Sequence, residues 1–404
     1  MCTLGTHKNF IFEYGFNSYK KEKIMKSLII GTTISVMLSS VIVASSIESS
    51  TIKQLQKDVE ALKLRDIQMK KEFEGNAMSG FQLAGYASFD YTDEQNADGS
   101  FSSVQFSPIF HYQYGNVFQF EGEVEFTINS EGETDTELEY AAGTFFINDY
   151  MGLQIGKFLS PVGQFVQNLH PSWINKLPSA PLGFGHDGAA PSANVGIALR
   201  GGLPKIGGIR SNYALFISNA PTFGIAADGD VIIDTSAKTT SSGASKTWGG
   251  RYAINPVGNM EIGISAATGK IAETLASDEE IQRDYDVFGT DMMYNINAFS
   301  LKAEYIQQKI GENALSPLEG GTWKAWYTQL SYQFDRIKLE PVLRYGAYDN
   351  PETNRNQWTL GLNYLFSNNI MAKIAYEINT DEDNAAIDSS ANNNRFLAQF
   401  AFGF

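Results

Sequence analysis

Cysteine is all but absent: the one copy, Cys2, stands near the N-terminus. A lone thiol there makes no disulfide framework and no thiolate metal site. Histidine is nearly as scarce, with only His7, His111, His170 and His186. His170, His186 and Asp187 are the one set with metal-ligand character, and the wide gap between the two histidines is poor spacing for a site. No serine is placed beside His111, so Ser-His hydrolysis has no support. No Gly-rich phosphate cradle precedes a helix, which argues against a nucleotide site. Neither a catalytic residue nor a cofactor is expected.

Positive charge is also short. Lys and Arg number 30 against 45 Asp and Glu, a formal charge of -15. Up to Ala44 five lysines face two glutamates, a net +3, so the remainder carries -18. Such a chain is a poor nucleic-acid partner. Long apolar runs are missing after Ala44, which removes transmembrane helices from the rest of the sequence. A soluble fold or a transmembrane β-barrel remains, because a barrel spreads its apolar residues over alternate positions.

What is present is aromatic and rich in glycine: 27 Phe, 19 Tyr, 5 Trp and 37 Gly. That usage favours an all-β chain with many turns. The first 44 residues read as a secretory signal region. Lys21, Lys23 and Lys26 precede the apolar run Ser27 to Ala44, and the small residues Ala44, Ser45 and Ser46 follow. Cleavage is expected after Ala44 or Ser46, and Met25 makes a more usual start than Met1. Residues 45–79 carry Ile52, Leu55, Val59, Leu62, Met69 and Phe73 on one heptad seam, interrupted once by Asp66. That stripe predicts a short periplasmic coiled coil and hence an oligomer. Gly75 and Gly80 would end the helix.

From residue 80 to 404 the period becomes two. Phe118, Phe120, Val124, Phe126 and Ile128 share one face, opposite Gln119, Glu121, Glu123, Glu125 and Thr127. Trp358, Leu360, Leu362, Tyr364 and Phe366 repeat the pattern against Gln357, Thr359 and Asn363. In all, about 16 strands are predicted, most of a length that crosses a bilayer when tilted. Their connections alternate in length. Short turns fall at Gly115-Asn116, Asn148-Asp149, 255–257, Asn297, Asp335-Arg336 and Asn368-Asn369, with a somewhat longer one over 201–208. Long polar connections fall at 92–102, 220–246, 268–283 and 380–394. Short turns at one end and long loops at the other are the pattern of an outer-membrane barrel. A soluble sandwich has no reason for that alternation.

The segment 159–193, between the fifth and sixth predicted strands, is long and has no sustained period. Segments of this kind inside a domain are usually functional. Pro161, Pro171, Pro178, Pro181 and Pro191 limit its freedom. Phe165, Trp173, Leu177 and Phe184 could fix it to the wall. That leaves Gln167, Asn168, His170, Lys176, His186 and Asp187 for water and solute. Strand parity turns Glu121, Glu123, Glu125, Glu137, Glu139, Glu261, Asp291, Glu304, Glu340 and Glu377 to the lumen. The same parity gives Arg200, Arg251, Lys302, Lys338, Arg344, Lys373 and Arg395 as lumen bases. Acids gather on the third and fourth strands and bases mostly on the eleventh to sixteenth, so opposed walls with a transverse field are expected.

The chain ends on Phe404 within an aromatic, alternating strand, and there it resembles Gram-negative outer-membrane proteins. That resemblance implies recognition of Phe404 by the barrel-assembly machinery. With its 16 strands and the long loop after the fifth, the segment from 80 onward resembles a trimeric porin. With its coiled coil it is similar to phosphate-selective porin O/P-like and DcaP-like families. The resemblance implies a homotrimer in outer-membrane lipid and passive diffusion of small hydrophilic solutes or ions. A phosphate, dicarboxylate or other anion channel is the alternative. A phosphate path needs closely spaced cations, and the mixed lumen charges do not make one. A weakly cation-preferring or unselective pore is therefore the expectation. A structural outer-membrane anchor and a barrel enzyme are the remaining readings.

Overall fold

The alternation read from the sequence closes on itself. A computed structural model describes residues 79–404, apart from 96, 130, 186–187, 226–230, 236–244, 276, 278 and 384–392. The predicted signal region and coiled coil lie outside the described residues. In chain order the first strands are β1 (Ser79–Glu94), β2 (Ser100–Tyr114), β3 (Phe118–Ile128), β4 (Thr134–Asn148), β5 (Met151–Leu159), β6 (Ala193–Ile206) and β7 (Ile209–Asn219). Two short strands follow, β8 (Thr222–Ile225) and β9 (Val231–Asp234). The rest are β10 (Lys246–Asn255), β11 (Met260–Thr274), β12 (Glu280–Ile296), β13 (Phe299–Ile310), β14 (Gly321–Tyr332), β15 (Leu339–Asp349), β16 (Thr353–Ser367), β17 (Ile370–Asp383) and β18 (Arg395–Gly403).

Each wall strand pairs antiparallel with its neighbour. β7 passes its ladder to β10, and β1 pairs with both β2 and β18, through Ala87↔Phe402 on the closing seam. The result is a closed ring of 16 strands. Closure leaves no unpaired edge, which is what lets strands sit in lipid. All 16 predicted strands are present. The sequence reading missed β8 and β9, a hairpin inside the long connection 220–245. Their four-residue length is below what a period-two pattern can reveal. The hairpin folds back so that Thr222 and Phe223 pair parallel with Ala272 and Glu273 of β11.

The short turns are short for local reasons. Gly207 and Gly208 both have positive φ, 60° and 86°, which suits a tight hairpin that L side chains rarely make. β6 therefore runs to Ile206, and the turn expected over 201–208 is much tighter than read. Lys338 also has positive φ, 57°, in the turn between β14 and β15. It is exposed at the turn, before the first residue of β15. Lys338 is thus not a lumen residue, a correction that follows from a longer turn than parity assumed.

Polarity is inverted relative to a soluble fold. On β16, Trp358 is 47% and Leu360 52% exposed, whereas Gln357 is 3% and Thr359 and Asn363 are 0% exposed. An exterior band of apolar side chains this extensive is stable only against another apolar phase. Aromatic pairs gather at the short-turn end, among them Phe118–Phe145 at 4.8 Å, Tyr332–Phe334 at 4.7 Å and Tyr364–Phe366 at 4.9 Å. That placement matches the aromatic girdle of a membrane barrel at one interface.

Candidate functional site

The connection between β5 and β6 folds into the barrel. Its ends are held together, with Ser160 N–H donating to the Ser192 carbonyl at 3.0 Å. Between them the segment makes one π-helical turn, Phe165–Leu169, and otherwise irregular backbone. Irregular backbone inside a membrane barrel needs partners for its polar groups, and the lumen side chains provide them. Glu304 of β13 accepts from the backbone N–H groups of Gln164 and Phe165, both at 2.9 Å. Gly163 N–H donates to Ser265 of β11 at 3.1 Å. The Gln164 side chain bonds Glu261. Farther along, Lys373 of β17 donates to the Ser172 carbonyl. Asn363 of β16 donates to the Lys176 carbonyl at 2.9 Å. Arg344 of β15 donates to the Ser179 carbonyl at 2.9 Å and the Ala180 carbonyl at 3.1 Å.

Apolar contacts seat the same segment. Phe165 and Phe184 meet edge-to-face at 6.1 Å, and both rings stand against Tyr327 of β14. Leu177 is fully buried among Val342, Ala375 and Leu397, three apolar side chains on the lumen face. Gly163 shows how tight the fit is. Its φ of +76° is a left-handed conformation, and a Cβ there would collide with the Glu304 carboxylate. The loop thus lies along the lumen side of β11 to β18.

That arrangement changes the reading of several lumen charges. Arg344 and Lys373 face inward, yet they lie beneath the loop, each 1% exposed. Arg395 bonds Glu377, which also accepts from Ser179. Lys176, expected to face solute, pairs with Glu340 at 3.0 Å. A basic wall opposed to an acidic one is therefore not what these residues form. A cation removed from water binds the nearest acceptors, and here the loop carbonyls are those acceptors. His170 turns to the Val166 carbonyl at 2.5 Å within the loop itself. His186 and Asp187 lie outside the described residues. Lys302 is half-buried on β13, near the Lys176–Glu340 pair.

Beside the loop, toward the short-turn end, a cavity of about 580 Å³ remains. One side is the loop, with Gln164, Gln167 and Asn168. The facing wall carries Glu121 of β3, Gln154 of β5, Arg200 of β6, Asn212 of β7 and Arg251 of β10. Of the residues expected to face solute or the lumen, the fold thus brings Gln167, Asn168, Glu121, Arg200 and Arg251 to one space. Arg251 is fixed by Asp291, at 2.6 and 2.9 Å, and by Glu261 at 2.8 Å. On β3, Glu121 pairs with His111 at 3.0 Å, and Glu123 accepts the Tyr86 hydroxyl at 2.7 Å. Glu125 accepts from Gln105 and from Thr127. Gln164, Tyr327, Asn363 and Ser179 were not singled out from sequence. The available signal was weak: Val342, Ala375 and Leu397 are apolar residues on a polar face, and something had to cover them.

Solved structures of similar shape include outer-membrane channels. An anion-selective porin from Comamonas acidovorans matches with a TM-score of 0.54 at 15% identity, over 81% of this chain and 100% of that one. The fold is that of a porin. The outer-membrane channel DcaP of Acinetobacter baumannii matches at 0.51 with 10% identity, over 81% of this chain and 98% of that one. Salmonella typhi OmpF, in complex with daunomycin, matches at 0.51 with 14% identity, over 81% of this chain and 99% of that one. A family model for the β-barrel domain of the S-layer protein SlpA matches residues 219–364. No curated protein matches the sequence.

Proposed function

We propose that the chain is an outer-membrane porin of a Gram-negative bacterium, passing small hydrophilic solutes and ions by diffusion. The observation that carries this reading is the loop 160–192 seated inside a closed, outwardly apolar barrel, with a polar cavity left beside it. A loop in that place narrows a lumen without filling it. Solute would pass between the loop and the wall of β3 to β7 and β10. The channel neighbours support a transport role and give no reason to assign catalysis. The outer partner is membrane lipid, and the assembly is a homotrimer. Phe404 closes the last strand's aromatic face, where the assembly machinery would read it. The acids on β3 and β4 favour weak cation preference.

Planar-bilayer recording tests the reading. Discrete open steps in KCl are expected, and their absence in correctly folded barrels would refute a porin. A second reading has one observation behind it, the match to an S-layer β-barrel domain over residues 219–364. Under it the barrel anchors an envelope layer and conducts little. The same recording separates the two.

A further inference from the structure

Arg200 is a cavity cation with no ion pair to a described carboxylate, and it stands on the wall facing the loop; Lys205 and Arg210 line the same cavity nearer the β6–β7 turn. It is half-buried on β6, level with Gly152 of β5, and its described side-chain bond is to the Gln154 oxygen at a long 3.4 Å. Arg251 beside it differs, being bound on its ring of donors by Asp291 and Glu261. A guanidinium drawn partly out of water keeps a need for acceptors, and its planar fork matches a carboxylate. The loop face of the same cavity presents the amides Gln167 and Asn168, which can donate or accept toward a neutral polar body, while Gln164 is bonded to Glu261 and Asn168. Charge on the path limits what can reach Arg200. Glu121 shares the cavity, and Glu123 and Glu125 continue the acidic face of β3 toward the long loops. A dianion meets that face repulsively. A solute with one carboxylate and one ammonium does not.

Building on the porin reading, we propose that this cavity is a selectivity subsite for small zwitterionic solutes of the amino-acid class. Arg200 takes the carboxylate, and the ammonium faces the acidic side of β3. The volume, about 580 Å³, is in the range of small-molecule sites and leaves room for retained water.

Swelling of liposomes holding the full chain tests this with three solutes of like size: serine, neutral erythritol and anionic glycerate. Serine should enter about threefold or more faster than erythritol, the size of effect one charge-assisted pair at a wet site can give. Arg200→Gln should bring that ratio to near unity. Arg200→Lys should restore part of it, since a point charge replaces a fork. Lys309→Gln, an exposed change near the far end of β13, should leave the ratio as in the wild type. An unchanged ratio in Arg200→Gln overturns the proposal. So does glycerate entering faster than serine, which would mark a plain anion site. If no solute enters wild-type liposomes, the porin reading itself fails, an outcome distinct from both.

Discussion

Replacing Glu304 by Gln should loosen the loop while leaving the barrel intact. The carboxylate is 4% exposed and receives two backbone N–H groups, from Gln164 and Phe165, each at 2.9 Å. Hydrogen bonds to a buried charge contribute about 1.5–3 kcal/mol each. Glutamine keeps one acceptor and turns an amide NH₂ toward the other donor. The loss is then about one such bond, roughly 2 kcal/mol, which shifts a local open–closed equilibrium about thirtyfold. The loop beyond Leu169 keeps its own anchors at Lys373, Asn363 and Arg344. Only the stretch around 163–169 should therefore leave the wall, and it does so beside the cavity. Single-channel recording should show a larger or more flickering open current than the wild type. Heat-induced unfolding should be little changed, because the wall ladder does not involve this side chain. A current indistinguishable from wild type, in a barrel shown to be folded, would refute the anchoring role.

Other outcomes follow from the same contacts. Gly163→Ala places a Cβ at φ +76° against Glu304, so it should reproduce the Glu304→Gln current, and the double variant should add little, as expected of residues sharing one contact. Arg251→Leu leaves Asp291 and Glu261 buried without their cation, and should lower barrel stability by about 3–5 kcal/mol in urea titrations of liposome-inserted protein. Asp291→Asn in that background should recover part of the loss. Leu360→Arg puts a charge on the exterior face at mid-strand, and should cost roughly 2–4 kcal/mol in folding into vesicles, without altering ion selectivity in barrels that do insert.

The wall was legible because each strand repeats one simple rule, and the alternation of turn and loop lengths fixed which end is which. Parity breaks at one bulge: Glu137 is opposite Glu125, but past the shift between Glu123 and Val124 the inward side of β4 passes to Tyr140, Ala142 and Thr144. The loop was legible as an anomaly of length and composition, and so were the apolar side chains that seat it, Phe165, Leu177 and Phe184; its polar partners were not. Which of Lys176, Arg344 and Lys373 meets water depends on contacts between residues far apart in sequence, such as Lys373 and Ser172. Charge pattern alone read these groups as free, whereas the fold commits them to carbonyls and carboxylates. Lys338 failed for a different reason: a turn longer by two residues removes it from the strand. The cavity beside Arg200 was beyond reach of any linear pattern, since β3, β5, β6, β7, β10 and the loop each contribute to it.

A solute path between the inserted loop and the wall of β3 to β7 and β10 runs past Asn168. Asn168→Cys, in a Cys2→Ser background free of other thiols, puts one reactive group on the loop side of the cavity. Planar-bilayer recording before and after a charged thiol reagent then reads the path directly. Discrete open steps that fall in amplitude on modification are the expected result. Open steps unaffected by complete modification, or no open steps at all, would rule out this path.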